Sequence, residues 1–126
     1  MNIIISNNSS VPIYEQIKNA IKDAIISNEL KEEEMLPSVR NLANDLKISF
    51  LTVKKAYDEL EAEGFIKTVQ GKGSFVAPKN LEIIKEEKLK EIQDYIEKIY
   101  NISKIANISE DEIKELFNMI FKEEVN

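Results

Sequence analysis

Apolar residues in the N-terminal part of the chain recur three and four positions apart, the spacing of a helix with one buried side. The first such stripe follows Pro12, which suits the first turn of a helix because its missing N–H would be unpaired there anyway. The members of this stripe are Tyr14, Ile17, Ile21, Ala24 and Ile25. The pattern predicts a first helix that ends near Asn28 and is followed by a charged, irregular stretch, "ELKEEEM".

Two further stripes follow close together and predict a pair of short helices. Ser38, after Pro37, is a suitable N-cap for the second helix, and Ser49 is a suitable N-cap for the third. The inward residues are Val39, Leu42, Ala43 and Leu46 in the second helix and Val53, Ala56, Tyr57 and Leu60 in the third. Gly64 stands where a left-handed stop is expected. Two helices joined only by "KIS" predict a helix-turn-helix.

The period of the pattern then changes from helix to strand. The β-prone runs "FIKTV" and "SFVA" flank "QGKG", in which Gly71 and Gly73 allow the positive φ angles of a tight hairpin. This hairpin adds a wing to the helix-turn-helix. Pro78 and Lys79 are expected to end the module.

Two more amphipathic helices are predicted in the C-terminal third. Asn80 can cap a long fourth helix, a break is expected near Asn107, and "SEDE", Ser109 to Glu112, is a capping box that opens a fifth. Their apolar residues are Leu89, Ile92, Ile96 and Ile99 on the fourth helix and Ile113, Leu116, Phe117, Ile120 and Phe121 on the fifth. These stripes pack either on their own module or on another subunit. We favour a twofold dimer interface, because a small winged module cannot easily bury two more apolar faces.

The predicted fold class is mainly α with a small β-hairpin. A winged helix-turn-helix in residues 1–78 precedes a two-helix dimerisation segment in residues 79–126. The length of 126 residues leaves no room for a separate catalytic domain of ordinary size. The apolar runs are too short for a membrane span and the N-terminus lacks a secretory signal, so the expected location is the cytoplasm.

The amino-acid composition excludes most of the common types of catalytic site. The chain contains no cysteine and no histidine, so thiolate metal sites, disulfides and the commonest general base are absent. Carboxylates lie mostly beside lysines in helical stretches, which is typical of a solvated helix face. We therefore expect neither enzymatic activity nor a metal or cofactor; an enzyme would have to use carboxylates and lysines alone.

The net charge of −6 is unevenly distributed. Residues 1–78 carry 9 Lys/Arg and 11 Asp/Glu, a net of −2, whereas residues 79–126 carry 8 and 12, a net of −4. Specific docking on DNA depends on the local face more than on the total. The acidity of the whole chain therefore does not exclude double-stranded DNA as a partner.

The second helix of a helix-turn-helix enters the major groove with the outward residues near its N-terminus. Here those usable residues are Thr52, Lys54 and Lys55, which can reach phosphates, guanine acceptors or a thymine methyl. Arg40, beside Ser38 at the start of the preceding helix, is a candidate phosphate clamp. The predicted DNA-binding residues are Ser38, Arg40, Ser49, Thr52, Lys54, Lys55, Gly71, Lys72 and Gly73.

Four segments, "PIYEQIKNAIKDAI", "LPSVRNLANDL", "TVKKAYDELEAEGFI" and "GKGSFVA", resemble the DNA-binding domain of the GntR family of bacterial transcription regulators over about residues 11–77. The short helical remainder is similar to the YtrA-type subfamily, whose C-terminal helices serve dimerisation. The resemblance implies a dimeric repressor that binds an inverted-repeat operator. It also implies DNA contacts for Ser38 and Arg40, for Thr52 and Lys54, and for the "GKG" of the wing.

The chain departs from the family pattern at two places. Asn28 and Glu33 stand where relatives often have glycines, which affects the expected loop conformation. Phe50 and Leu51 stand where relatives often have polar residues, so the operator sequence does not carry over.

Two alternatives stay open at this point. A winged-helix module that binds protein without specific DNA binding would use Phe50, Leu51 and the C-terminal aromatic residues for docking. The sequence also leaves open repression or activation, the regulated genes and whether a small-molecule effector exists.

Overall fold

The structure, a computed structural model, describes residues 2–125, with side chains as far as residue 122. It divides into two compact units, Met1–Asn80 (unit 1) and Leu81–Asn126 (unit 2). Within the described residues, unit 1 holds α1 (Ile13–Ile26), α2 (Val39–Leu46), α3 (Phe50–Ala62), β1 (Ile66–Val69) and β2 (Gly73–Val76). Unit 2 holds α4 (Leu81–Ala106) and α5 (Glu110–Val125). The predicted fold class, mainly helical with one small hairpin, is confirmed.

The core of unit 1 is built around α3, which contacts α1, α2 and β1. The four inward residues predicted for α3 are all buried. The largest fully buried side chains of the unit are Ile17, Ile21, Ile25, Val53, Leu60 and Val76. Burying each such side chain contributes roughly 1.5–3 kcal/mol. This apolar contact determines which side of α3 stays in solvent.

Local signals define the ends of α2 and α3 as the sequence predicted. The Ser38 hydroxyl accepts from the Asn41 N–H at 3.1 Å, and the Ser49 hydroxyl accepts from the Thr52 N–H at 3.1 Å. Lys47 ends α2 in the left-handed conformation with φ 56°, and Gly64 has φ 84° after α3. The turn between the two helices is therefore short, and the left-handed Lys47 and the Ser49 cap fix its backbone conformation.

Tyr57 joins the two helices of the pair. Its hydroxyl donates to the Pro37 carbonyl at 2.7 Å, immediately before the cap of α2. Burial raises the pKa of Tyr57 to about 12, so the phenol stays protonated and keeps its donor. This bond holds the beginning of α2 against α3.

Charged residues link α1 to α3 beside the apolar core. Lys18 contacts the carboxylates of Glu59, at 3.1 Å, and of Glu63. The hydrogen bond to Glu63 raises the pKa of Lys18. Burial alone would raise the pKa of Glu63, but hydrogen bonds from Lys18 and Lys22 lower it on balance. These acidic residues of α3 therefore face α1.

The hairpin pairs β1 with β2 antiparallel, with Ile66 opposite Val76 and Val69 opposite Gly73. The charged stretch before α2, predicted to be irregular, also joins the wing. Met35 forms an isolated bridge with Phe75, and the Leu36 N–H donates to the Ser74 carbonyl at 2.8 Å. That prediction missed the third extended segment, because the strand partner lies some forty residues further along the chain.

A carboxylate of α3 holds the first strand of the wing. Glu61 accepts from the Thr68 N–H at 3.3 Å and from the Thr68 hydroxyl at 3.1 Å. Because Thr68 lies in β1, this pair restrains the hairpin relative to the helix that precedes it.

Unit 2 follows the predicted helix boundaries. α4 runs for 26 residues, and Asn107 breaks the chain with φ 56°. The predicted capping box is formed: the Ser109 N–H donates to the Glu112 carboxylate at 2.8 Å, and the Glu112 N–H donates back to the Ser109 hydroxyl at 3.2 Å. Neither these two helices nor those of unit 1, as far as the structure describes them, combine the length and apolarity required to cross a membrane.

Glu33 lies in the left-handed region with φ 68°, as Asn28 does with φ 69°. The loop therefore keeps the backbone conformation that a glycine would adopt most easily. We expect Glu33→Gly to raise the free energy of unfolding by about 0.5–1 kcal/mol, because relief of the left-handed strain exceeds the extra entropy of glycine in the unfolded chain. Thermal and urea denaturation measure the difference.

The matched control is Glu33→Ala. Both variants lose the contact of Glu33 with Lys67, 2.9 Å in the wild type, but alanine keeps a Cβ in the strained conformation. Equal stability of the two variants would show that the cost of the positive φ does not exceed the extra entropy of glycine in the unfolded chain.

Candidate nucleic-acid interface

The outer side of α3 is presented to solvent by the packing of its inner side. At about 100° per residue, Leu51 lies about 170° and Lys55 about 150° from the centre of the buried stripe. Lys54 and Thr52 lie nearer its edges, about 110° and 90° away. Accordingly Leu51, Lys54 and Lys55 are exposed, and Thr52 is half-buried. The first two turns of α3 therefore form a convex, accessible surface.

The Ser49 cap orders the beginning of this surface. The Ser49 and Thr52 hydroxyls lie 2.7 Å apart and share a hydrogen bond in addition to the backbone cap. Thr52 thus has a defined orientation before any ligand arrives. The Thr52 hydroxyl is engaged by Ser49, which leaves the Thr52 methyl group as the part that can contact a base.

Both predicted lysines of α3 have partners on the protein. Lys54 Nζ lies 2.8 Å from the Asp58 carboxylate one turn later, and both side chains are about half exposed. Such exposed pairs are weak, so a phosphate or a guanine acceptor can replace Asp58. Lys55 Nζ lies 3.9 Å from the centre of the Tyr14 ring, which directs it toward α1. Of the two, Lys54 is the better placed to reach bases.

The beginning of α2 presents Ser38 and Arg40 side by side. Both residues are exposed, and the Ser38 hydroxyl caps the helix. Among the described residues, no hydrogen bond or ion pair engages the Arg40 guanidinium. A guanidinium without an acidic partner at a helix start is suited to bind a phosphate.

The tip of the hairpin presents a cation on a tight turn. Gly71 and Gly73 have φ 80° and 127°, and the Lys72 N–H donates to the Val69 carbonyl at 2.9 Å. A Cβ at either glycine would meet nothing within 4 Å, so the backbone conformation, not crowding, favours glycine here. Lys72 is exposed, and the described residues supply no acidic partner for it.

The negative charge of unit 1 is largely engaged within the protein. Seven carboxylates accept hydrogen bonds: Glu32, Glu33, Glu34, Asp58, Glu59, Glu61 and Glu63. Of these, only Asp58 lies on the outer side of α3. The local charge on this side of α3 is therefore set by Lys54, Lys55 and Asp58, and this local face bears on DNA docking more than the total charge does.

All nine predicted DNA-binding residues lie in unit 1, and none is buried. Two contacts were not predicted from the sequence: that of Lys55 with Tyr14 and that of Glu61 with Thr68 of the wing. The sequence near these residues does not indicate either contact. Tyr14 lies 41 residues from Lys55, and Glu61 resembles the other exposed carboxylates of the helices. No group of three or more metal-ligating side chains occurs within the part of the chain that the structure describes.

Unit 2 presents a long apolar surface. Leu89, Ile92 and Ile96 are each about half exposed, and Leu116, Ile120 and Phe121 are 56%, 61% and 67% exposed. Ile99 and Ile113 are half-buried, and Phe117 is 38% exposed. The two helices enclose an apolar cleft lined by Ile99, Ile102, Ser103, Ile108, Ile113, Leu116, Phe117 and Ile120. Large exposed apolar surfaces of this kind mark contact sites.

Comparison with known proteins agrees with this geometry. The model of the family "Bacterial regulatory proteins, gntR family" matches residues 13–76. The HTH-type transcriptional repressor YtrA of Bacillus subtilis (strain 168) is 34% identical over 113 residues, which cover 90% of this chain and 87% of that protein.

Solved structures extend the likeness to both units. A transcriptional regulator from Oenococcus oeni superposes with a TM-score of 0.75 at 30% identity, over 93% of this chain and 97% of that one. The DNA-binding domain of AraR, solved in complex with operator ORX1, gives a TM-score of 0.55 at 28% identity over 61% of this chain and 96% of its own. This chain therefore belongs to the gntR family of bacterial regulatory proteins.

Proposed function

We propose that this protein is a sequence-specific, double-stranded-DNA-binding transcription regulator that acts as a homodimeric repressor. The observation that carries the proposal is the exposed outer side of α3, ordered by the Ser49 cap and accompanied in the same unit by Arg40 and Lys72, two exposed cations for which the described residues provide no acidic partner. A related domain, that of AraR, has been solved bound to an operator. A regulator that binds bacterial DNA acts in the cytoplasm, which is the location expected from the sequence.

In this proposal α3 is the recognition helix and lies in the major groove. Lys54 leaves Asp58 and donates to the O6 or N7 acceptors of guanine, and the Thr52 methyl group lies at the edge of a neighbouring base. Exchanging the exposed Asp58 pair for a base contact costs little, because such a helix pair is worth about 0.3–0.5 kcal/mol. Lys54 therefore contributes to sequence preference.

The remaining cations position the protein on the backbone. Arg40 binds a phosphate beside Ser38 at the start of α2, while Lys72 and the flanking glycines let the wing approach a phosphate or the minor groove. Lys55 lies at the rim, where leaving the Tyr14 ring for a phosphate costs about 0.5–1 kcal/mol. These contacts contribute affinity without sequence information.

Unit 2 forms the dimer interface in this proposal. Support comes from the exposed apolar residues of α4 and α5, whose burial against a second copy releases large side chains from water. A twofold dimer presents two recognition helices to an inverted repeat, with half-sites about one helical turn or a small multiple of it apart. The proposal includes no enzymatic activity, since the gntR family is one of transcription regulators.

The DNA contacts are tested by selecting bound duplexes from a randomised pool and re-measuring the winners at two or more salt concentrations. We expect an enriched inverted repeat and, for about six phosphate contacts per dimer, a slope of log K against log salt of about −5. Arg40→Ala should weaken binding to all duplexes similarly. Lys54→Ala should also lose about 1–3 kcal/mol of preference at one base pair per half-site.

Lys114→Ala is the matched control for Lys54→Ala, because Lys114 forms the same i,i+4 type of ion pair, with Glu110, on an exposed helix of unit 2. It should leave the selected sequence unchanged. A pool without enrichment, or a salt-independent affinity, contradicts DNA as the ligand and favours the protein-interaction module. An unchanged base preference in Lys54→Ala contradicts the role given to that lysine.

The dimer is tested by sedimentation equilibrium at micromolar protein. We expect a mass of 29 kDa, twice the 14.5 kDa of one chain. Ile96→Glu, which places a charge in the middle of the α4 stripe, should shift the mass to one chain because an unpaired charge is costly to bury. Ile4→Glu, at a 90% exposed apolar position of unit 1, is the control and should stay dimeric. A wild-type mass of 14.5 kDa overturns this part of the proposal.

A further inference from the structure

Two apolar side chains stand at the first two positions of the recognition helix. Phe50 is 45% exposed and Leu51 is 74% exposed, whereas Val53, on the inner side of the same helical turn, is fully buried. Leu51 points almost directly away from the core, about 170° from the centre of the buried stripe. Leu51 is thus not used to hold unit 1 together, whereas Phe50, about 70° from the centre of the stripe, is more than half covered.

Most exposed leucines need no explanation, because single apolar residues are common on protein surfaces. The position of these two is what distinguishes them. The N-terminal turn of the second helix is the part that reaches base edges in a helix-turn-helix, and the Ser49 cap holds this turn in place. In the proposed complex, the side chain at residue 51 would therefore face the floor of the groove.

An apolar side chain at this place restricts the base it can accept. Leucine offers neither a donor nor an acceptor, so pressing it against guanine, adenine or cytosine edges leaves their polar atoms without partners. The one apolar group in the major groove is the C5 methyl of thymine. The chemistry of the side chain thus selects an A·T pair with the thymine methyl facing the helix.

We propose that Leu51, with Phe50 beside it, is a specificity-determining residue that contacts a thymine methyl group in each half-site. This inference rests on the proposed function and adds to it the class of base that the beginning of α3 recognises. In the proposed complex Lys54, one turn along the same exposed side, leaves Asp58 for the guanine acceptors of a neighbouring pair. The half-site therefore combines a methyl-dependent A·T position with a G·C position.

The experiment replaces the thymines of the selected duplex one at a time with deoxyuridine, which lacks only the C5 methyl. Affinity is measured by fluorescence anisotropy with the full-length protein. We expect one thymine per half-site at which loss of the methyl weakens wild-type binding about fourfold, the factor that corresponds to burying one methylene-sized group. Leu51→Ala should bind the thymine duplex more weakly and be insensitive to deoxyuridine at that position.

Ile4→Ala is the matched control, since it also shortens an exposed apolar side chain of unit 1 and should keep the full deoxyuridine sensitivity. Equal wild-type affinities for all thymine and deoxyuridine duplexes overturn the inference, and this series needs no variant to fold. Sensitivity that persists in Leu51→Ala overturns it as well. Failure of the proposed function is distinguishable, because then no duplex is enriched from the pool at all.

Discussion

Burial of the inner side of α3 is the constraint on which the rest of unit 1 depends. Val53, Ala56, Tyr57 and Leu60 are covered by α1, α2 and β1, so this short helix is packed on three elements at once. A helix held in this way cannot rotate about its axis without exposing a buried side chain. Its outer residues, from Leu51 to Lys55, are therefore presented at one angle, as recognition of base edges requires.

Three polar contacts transmit that constraint to the neighbouring elements. Tyr57 holds the start of α2 through the Pro37 carbonyl, Glu61 holds β1 through Thr68, and Lys18 holds α1 through Glu59 and Glu63. Each contact connects the inner part of the module to an element that carries or supports a candidate DNA contact. They also engage three of the four carboxylates in and just after α3, those of Glu59, Glu61 and Glu63, while Arg40 and Lys72 are exposed.

Features encoded by short-range patterns could be predicted from the sequence. The caps at Ser38 and Ser49, the stop at Gly64 and the capping box at Ser109 each depend on residues within four positions, and the structure contains all of them. The apolar stripes identified the inner side of α3 in the same way, and with it the exposed candidates Lys54 and Lys55.

Contacts between distant segments could not be predicted in this way. The Met35–Phe75 bridge and the Lys55–Tyr14 contact join positions about forty residues apart. Nothing in the local sequence around these four residues indicates which partner each one contacts. At Asn28 and Glu33 the departure from glycine suggested a different loop conformation. The structure nevertheless has both residues in the left-handed conformation.

The central claim is that the N-terminal half of α3, the start of α2 and the hairpin tip contact DNA. The most direct measurement is titration of the isotopically labelled protein with a duplex enriched by selection, followed through the backbone amide signals of its NMR spectrum. We expect the largest shifts at residues 38–41, 49–55 and 71–73, while residues 110–122 of α5 change little. Shifts concentrated in α4 and α5, with the α3 signals unmoved, would contradict it.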